Sequence, residues 1–423
     1  ALQIGEVGET VVITSGGEVL QTQTATVGTT ITGRQITDTP IASRDALDLI
    51  ALLPGTSSVG APRRSSVNGL PKGSLSITID GVDVQDNLLR SSDGYFTYVR
   101  PRVDAIEEVT VSNAVPGVES SGDGAVQIRF VTRRGTNDYR GSLFWQHRNT
   151  DLNANYWYNN RDLAPDDDGK APRNKMLLNQ YGGRVGGPIP FPRFGDGGGP
   201  FFNSGKDRAF FFVSYEEFRL PQSQSRTQTI MTPEAQNGIY RYIVGSEVRE
   251  RNLFQIAAQA NQLATPDPTI AAMLARIRTA VGTEGRITPI TNSPNFQNYN
   301  FTPAGDSPRK FLALRFDVNV HKNHSVEFVT NWQKFVPSKD FLNSQDERFP
   351  GFPWYTQGSV RKSYSMAVRS MLGSNVTNEA RYAISTGLSE FSPGISPADF
   401  EYSRGYLLDI SAAGVTRTGP TAR

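Results

Sequence analysis

The sequence predicts a mainly β fold in two parts, a small α+β domain followed by part of a large antiparallel β-barrel. Three observations lead there. Leu75, Ile77 and Ile79 alternate with Ser76 and Thr78, and Val126, Ile128 and Phe130 alternate with Gln127 and Arg129, the period of a half-buried strand. Beyond Gly135 the strand-like runs become longer and more aromatic. Finally, 37% hydrophobic residues with 40 Gly and 26 Pro is low for a compact helical globule and suits many short strands and turns.

In chain order, residues 1–37 come first, rich in Thr, Val, Gly and Gln. The run Glu9, Thr10, Val11, Val12, Ile13, Thr14 and Ser15 has the composition of a single edge strand. QTQTATVGTT, residues 21–30, is polar enough for a flexible linker. Across 44–53, Ala46, Leu49, Ile50 and Leu53 recur at helical spacing. A helix of about three turns is expected, capped by Ser43, stopped by Pro54-Gly55 and packed by its apolar stripe on a sheet. Asp80-Gly81 closes the 75–79 strand and Ser121-Gly122-Asp123-Gly124 opens the 126–130 strand, both with turn chemistry. Asp80, Asp83 and Asp86 place three hard oxygen donors close together, a candidate calcium site. Their spacing is not that of an EF-hand loop, and turn formation explains them as well. Asp166, Asp167 and Asp168 read as a solvated charge run in a loop.

Seven strand-like segments follow, at 139–149, 177–187, 207–219, 310–320, 325–336, 362–372 and 378–391. Most have the roughly 9–11 residues that cross a bilayer when tilted. In the fourth, Leu312, Leu314, Phe316, Val318 and Val320 alternate with Ala313, Arg315, Asp317 and Asn319, one face for lipid and one for a polar lumen. A transmembrane barrel read this way has short connections at 321–324 and 373–377 on one side and long ones at 150–176, 220–309 and 337–361 on the other. The Gly/Pro/Phe-rich connection 188–206 is the exception, long for its side. Within the longest loop, 246–263 and 269–281 show helical apolar spacing, so two surface helices are expected. Aromatic residues around 349–355 could contact a ligand or simply pack the loop.

The small domain carries motifs in a fixed order: RDALDLIALLPG from Arg44, VNGLPKGSLSITIDG from Val67, VDAIEEV from Val103, then GDGAVQIRFVTRRG ending at Gly135. This order resembles the plug domain of TonB-dependent outer-membrane receptors, and VNG with VTRRGTNDYRGSLFW resembles the Oar-like branch. The resemblance implies an N-terminal segment at 1–26, a plug at 27–134, and the first strands and extracellular loops of the barrel at 135–423. It also implies that residues 9–15 are the TonB box, read by β-augmentation onto the periplasmic domain of TonB with its inner-membrane energising complex. The location implied is the outer membrane of a Gram-negative-type bacterium, with long loops outside, the N-terminus periplasmic and outer-membrane lipid around the barrel. Such barrels close with about 22 strands. Seven candidates lead us to expect that the chain is a piece of a longer protein, since an open fan would leave unpaired edges in lipid.

Composition also excludes classes of function. The 43 basic and 41 acidic residues nearly cancel, so no basic field argues for nucleic acid. Cysteine is absent, and three histidines offer no zinc spacing. No nucleophile has a supporting cast and no Walker-type motif is present, so neither an enzyme nor a cofactor is expected. No run approaches the ~18 apolar residues of a spanning helix, which a barrel does not need. The expected function is substrate transport through a plugged barrel, with the substrate unknown. The alternative is a structural or adhesive surface protein that displays its large loops.

Overall fold

A computed structural model gives the fold and describes residues 27–52, 56–57, 66–67, 75–85, 97–113, 126–157, 160, 168–171, 173, 176–192, 202–339, 341, 346–352, 354–373 and 375–393. The segment Glu9–Ser15, Asp86, Asp166 and Asp167 lie outside the described residues.

The small unit is built on a five-stranded sheet. Its strands are β1 (Val27–Thr32), β2 (Leu75–Ile79), β3 (Val82–Asp83), β4 (Ile106–Asn113) and β5 (Val126–Thr132), in the order β1-β4-β5-β2-β3. Only β2 and β5 run parallel, with Ile77 beside Ile128 and Ile79 beside Phe130. These side chains and Val109 form one buried core with Leu49 and Ile50, as the alternation predicts.

Three local expectations change. Residues 27–30 belong to β1, paired antiparallel with β4 from Val27 opposite Asn113, so the linker cannot extend to residue 30. The expected three-turn helix is a 3₁₀ helix, Ala46–Leu52. Arg44 has φ +52°, which no right-handed helix contains, so the helix starts later. Its cap is accordingly Asp45, whose Oδ1 accepts from the Leu47 N–H at 3.1 Å. Ser43 Oγ accepts from the Asp45 N–H at 3.2 Å and donates to Asp48, two residues ahead of the observed cap.

Seven longer strands form a second, wholly antiparallel meander: β6 (Arg140–Asn149), β7 (Leu177–Pro188), β8 (Ala209–Arg219), β9 (Arg309–His321), β10 (His324–Phe335), β11 (Tyr355–Leu372) and β12 (Val376–Pro393). All seven expected segments are strands, each paired with its sequence neighbour. The last two are 18 residues each, well beyond the ~9–11 needed for a bilayer. Phe211, Phe316, Phe328, Met366 and Tyr382 stand side by side across five strands. They form the outer, apolar face, and Arg315 and Ala313 turn inward and are buried against the small unit. Gly187 serves this outer face, because a Cβ there would meet the Tyr139 ring at 2.3 Å. The ring lies across the bare backbone, and its hydroxyl donates to the Pro188 carbonyl oxygen at 2.9 Å.

Short connections join β9 to β10 and β11 to β12 at one end, and the long ones leave from the other. The unusual connection 189–208 sits at the short end and contains a small ladder, Phe191–Pro192 with Phe202–Asn203. At the long end, the expected helix over 269–281 is present as Pro268–Ala280, capped by Asp267. The 246–263 expectation is half wrong. Glu247–Asn252 pairs with Ile239–Val244 as a hairpin, and only Leu253–Gln259 is helical. Val248 lies on an extended backbone there, and over so short a window apolar spacing does not separate the two structures.

These loops have a core of their own. Met273, Leu274 and Ile277 of the long helix pack on Ile230, Tyr299 and Phe301 of a three-stranded sheet, joined by Phe349 and Phe352 from the next loop. Phe349 and Phe352 are thus buried in the packing of this core. Arg226 clamps Asp346 through two hydrogen bonds of 2.8 and 2.7 Å, tying the two loops together.

Candidate functional site: a polar contact between the small unit and the strand wall

The small unit lies on the inner face of the seven-stranded wall, and the contact is mainly ionic. Among the described residues the one buried apolar cluster bridging the two is Ala105 with Phe212 and Ala313. The other contacts between described residues are ion pairs, hydrogen bonds and guanidinium groups seated on rings.

One cluster lies toward the short-turn end. Asp80 and Gly81 both have positive φ, +49° and +76°, the two-residue turn that an Asp-Gly pair forms readily. The turn aims the Asp80 carbonyl oxygen at the wall, where Arg381 of β12 donates to it at 2.5 Å. The Asp80 carboxylate turns inward and accepts from the Thr132 N–H at 2.9 Å and the Thr132 hydroxyl at 2.5 Å. Arg315 of β9 stands 3.6 Å from that carboxylate and donates to the Thr132 carbonyl oxygen at 2.9 Å. The same guanidinium grips Asp317 through two 2.9 Å bonds and Glu327 of β10 at 2.8 Å. Glu327 also accepts from Arg369 at 3.1 Å and Arg381 at 3.2 Å. Burial pushes the Asp80 carboxyl above its ordinary range, only partly opposed by the Thr132 hydrogen bonds and Arg315. A polar cavity of about 940 Å³ opens beside this cluster, lined by Ser76, Thr78, Arg129, Glu327 and Arg381.

The second cluster lies midway along the wall. Arg102 donates to Glu216 of β8, which also accepts from Gln180 Nε2 at 2.6 Å and has Arg44 at 3.7 Å. Arg44 also binds Asp104, and Arg184 of β7 lies 3.7 Å from that carboxylate. The guanidinium planes are seated on rings, Arg44 over Phe144 at 3.6 Å and Arg102 over Phe311 at 4.4 Å. Gln333 and Arg361 complete the docking by donating to the Arg100 and Tyr98 carbonyl oxygens at 2.7 and 3.3 Å.

Of the three aspartates singled out in sequence, Asp80 is thus engaged with Thr132 and Arg315, and Asp83 Oδ1 accepts from the Gln85 N–H at 2.9 Å. Among the described residues no group of three His, Asp or Glu side chains is arranged to hold a metal ion. Sequence reasoning singled out none of Arg102, Glu216, Glu327 and Arg381. For Glu216, Glu327 and Arg381 the one sequence signal is a charge at an inward position of an otherwise alternating strand, and Arg102 lies outside the strands.

The model of the outer membrane beta barrel domain family matches residues 131–419, more than half of the chain. No curated protein matches the sequence. Several solved structures are similar in fold. The outer membrane transporter YddB from Escherichia coli is 11% identical with a TM-score of 0.48, covering 86% of this chain and 39% of that one. The ferric enterobactin receptor PfeA from Pseudomonas aeruginosa is 12% identical with a TM-score of 0.45, covering 86% and 41%. The ferric-catecholate import receptor Fiu from E. coli K12 is 13% identical with a TM-score of 0.35, covering 86% and 50%. This chain therefore spans between two fifths and half the length of these proteins.

Proposed function

From the premise that this chain belongs to the outer membrane beta barrel domain family, we propose that it is the plug and first wall of a TonB-dependent outer-membrane transporter. The small unit is the plug and the inner face of the wall is the lumen. The long-loop end faces outside, and residues 9–15 are the segment that TonB grips. One observation carries this reading: among the described residues the plug is held to the wall mainly by ion pairs and hydrogen bonds, with one small buried apolar cluster between them. A hydrophobic interface loses its stabilisation outright on opening, whereas ionic groups that part are re-solvated by water. Such a plug can shift as a body under a pull on its N-terminus while its own core stays folded. The work arrives as force along a β-augmented strand, so the chemistry asked of the chain is binding and release only.

Calorimetric titration of the full-length protein with the TonB periplasmic domain tests this. Binding is expected for the natural sequence and is expected to vanish on deletion of residues 9–15. Binding that survives the deletion, or that never occurs, removes the energised-transport reading.

The loop layer favours a second reading. Its own buried core, and a projecting hairpin with Tyr240, Ile243 and Val248 exposed, suit a protein that displays its surface for assembly or adhesion. That reading gains if TonB binding fails.

A further inference from the structure

At the short-turn end the wall carries two imidazoles side by side. The sequence has three histidines, and two of them, His321 and His324, flank the Lys322-Asn323 turn between β9 and β10. An unbroken ladder would set Val320 opposite His324, but the register slips between Asn319 and His321, so His321 is the residue paired with His324. A bulge of this kind re-aims a side chain. The two ring centroids stand 5.9 Å apart, with the planes tilted by 37°. By the alternation that turns Phe328, Met366 and Tyr382 outward, His324, Ser370 of β11 and Asn378 of β12 lie side by side on the outer face. Neighbouring segments brace the turn. The Met371 N–H donates to the Asn323 carbonyl oxygen at 2.8 Å, and Asn319 Nδ2 donates to the Asp207 carbonyl oxygen at 2.9 Å.

His324 Nδ1 lies 2.9 Å from Ser370 Oγ. With the Nδ1–H donating to that hydroxyl oxygen, Nε2 keeps its lone pair, the arrangement in which an outer partner orients a metal-bound imidazole. His321 Nδ1 accepts from the Asn323 N–H at 3.4 Å, a contact long enough for a stronger bond to replace it. An ion bonded at about 2.0–2.1 Å to one nitrogen of each ring lies about 3.2 Å from each ring centre, so rings 5.9 Å apart can share it. Both histidines are exposed, along an open cleft of about 1540 Å³. Lys206, Arg208, Lys322 and Arg369 line that cleft with Asp207 and Glu379. Such a setting offers a hard cation no surplus of negative charge, whereas neutral imidazole suits the transition ions. Among the described residues no third His, Asp or Glu joins the pair, so water completes the coordination and the site stays open.

We propose that His321 and His324, paired by the bulge and oriented through Ser370, form an open two-histidine site for a divalent transition ion, Cu²⁺ most tightly and Ni²⁺ and Zn²⁺ less so. A bound ion cross-links β9 to β10 at their turn and stabilises that end of the wall by mass action. The site lies at the end away from the long loops and on the face away from the small unit, so it does not rest on the transport reading.

The test uses the full-length protein without a histidine tag, in lipid nanodiscs, titrated with Cu²⁺ and read by calorimetry and electron paramagnetic resonance. A saturable site is expected, with hyperfine coupling to two imidazole nitrogens, and excess Mg²⁺ should not compete for it. Ser370→Ala should weaken binding about tenfold with both nitrogens still coupled, the mark of a residue that only orients the ring. His321→Gln and His324→Gln should each weaken it further and leave one coupled nitrogen, and His147→Gln on β6 should leave it unchanged. Both site histidines are exposed, so these variants spare the core. Hydrogen exchange of the natural protein gives a second readout, with amides of the paired turn region 319–326 gaining protection when Cu²⁺ is added. The proposal is overturned if Cu²⁺ shows no saturable binding. It is equally overturned if either His→Gln variant keeps the natural affinity and coupling, which leaves an adventitious ion only.

Discussion

Arg315 donates to the Thr132 carbonyl oxygen at 2.9 Å across 183 residues of sequence. The bond joins the last strand of the small unit to the fourth strand of the wall. The same guanidinium is held by Asp317 and Glu327, so its position is set by groups of the wall itself. The wall therefore presents an oriented donor, and the small unit supplies a carbonyl and the Asp80 carboxylate to meet it.

Glu327 is the hub of that arrangement, accepting from Arg315, Arg369 and Arg381. Glu327→Ala removes the anion that Arg315, Arg369 and Arg381 share, leaving them Asp317 and Glu379, and should weaken docking of the small unit by about 1–3 kcal/mol. Hydrogen exchange is the measurement. Amides of β4 and β5 should lose protection before those of β9 and β10, and equal loss in both sheets would show that Glu327 stabilises the wall alone.

Asp80 gives a pH dependence. Its folded pKa is raised, mainly by burial, above the ordinary value of 3.8. The stability it contributes is therefore full below that value and is lost as pH rises through the raised one. Asp80→Asn keeps the acceptor for Thr132 and tolerates positive φ. It should match or exceed the natural protein in stability at neutral pH and flatten the profile between mildly acidic and neutral pH. Urea melts that follow the small unit at several pH values check this; a variant weaker at every pH would mean that the Arg315 pairing outweighs burial.

Gly81 holds φ +76°, and a Cβ there would lie 3.2 Å from Arg381 Nε. Gly81→Val combines backbone strain of order 1–3 kcal/mol with displacement of the Arg381 bond to the Asp80 carbonyl. Gly81→Ala should be milder, because its smaller side chain leaves Arg381 more room. A double-mutant cycle of Gly81→Val with Arg381→Ala should show coupling, and strict additivity would confine the effect to the turn.

The loop layer should melt independently of the wall. Ile277→Ala empties part of its buried core and should cost about 2–5 kcal/mol. Tyr299, whose hydroxyl donates to the Glu284 carbonyl oxygen at 2.8 Å, is pushed up to about 12 by burial, so this core should be indifferent to pH across the neutral and mildly alkaline range. Limited proteolysis within 220–308 should accelerate in Ile277→Ala while heat resistance of the β9–β12 strands is retained. Loss of the strands together with the loops would contradict this division.

The sequence by itself determined the local elements that a short period can encode. All seven wall strands were readable because side chains alternate every second residue and one face must be apolar. The Asp80-Gly81 turn was readable because those residues favour positive φ. Where periods were short or a backbone was unusual, the reading failed. The 246–263 segment became a hairpin with a single short helix, and Arg44 at φ +52° delayed and tightened the helix after it. Tertiary structure alone decided which charges meet. Arg102 finds Glu216 114 residues on, and Arg381 finds Asp80 across 301. Nothing local specifies such pairs, because they exist only where the small unit lies against the wall. It also decided which charge is left over: Arg309, inward on its strand like Arg315, is met by Phe218 and Phe335 and has no carboxylate partner among the described residues.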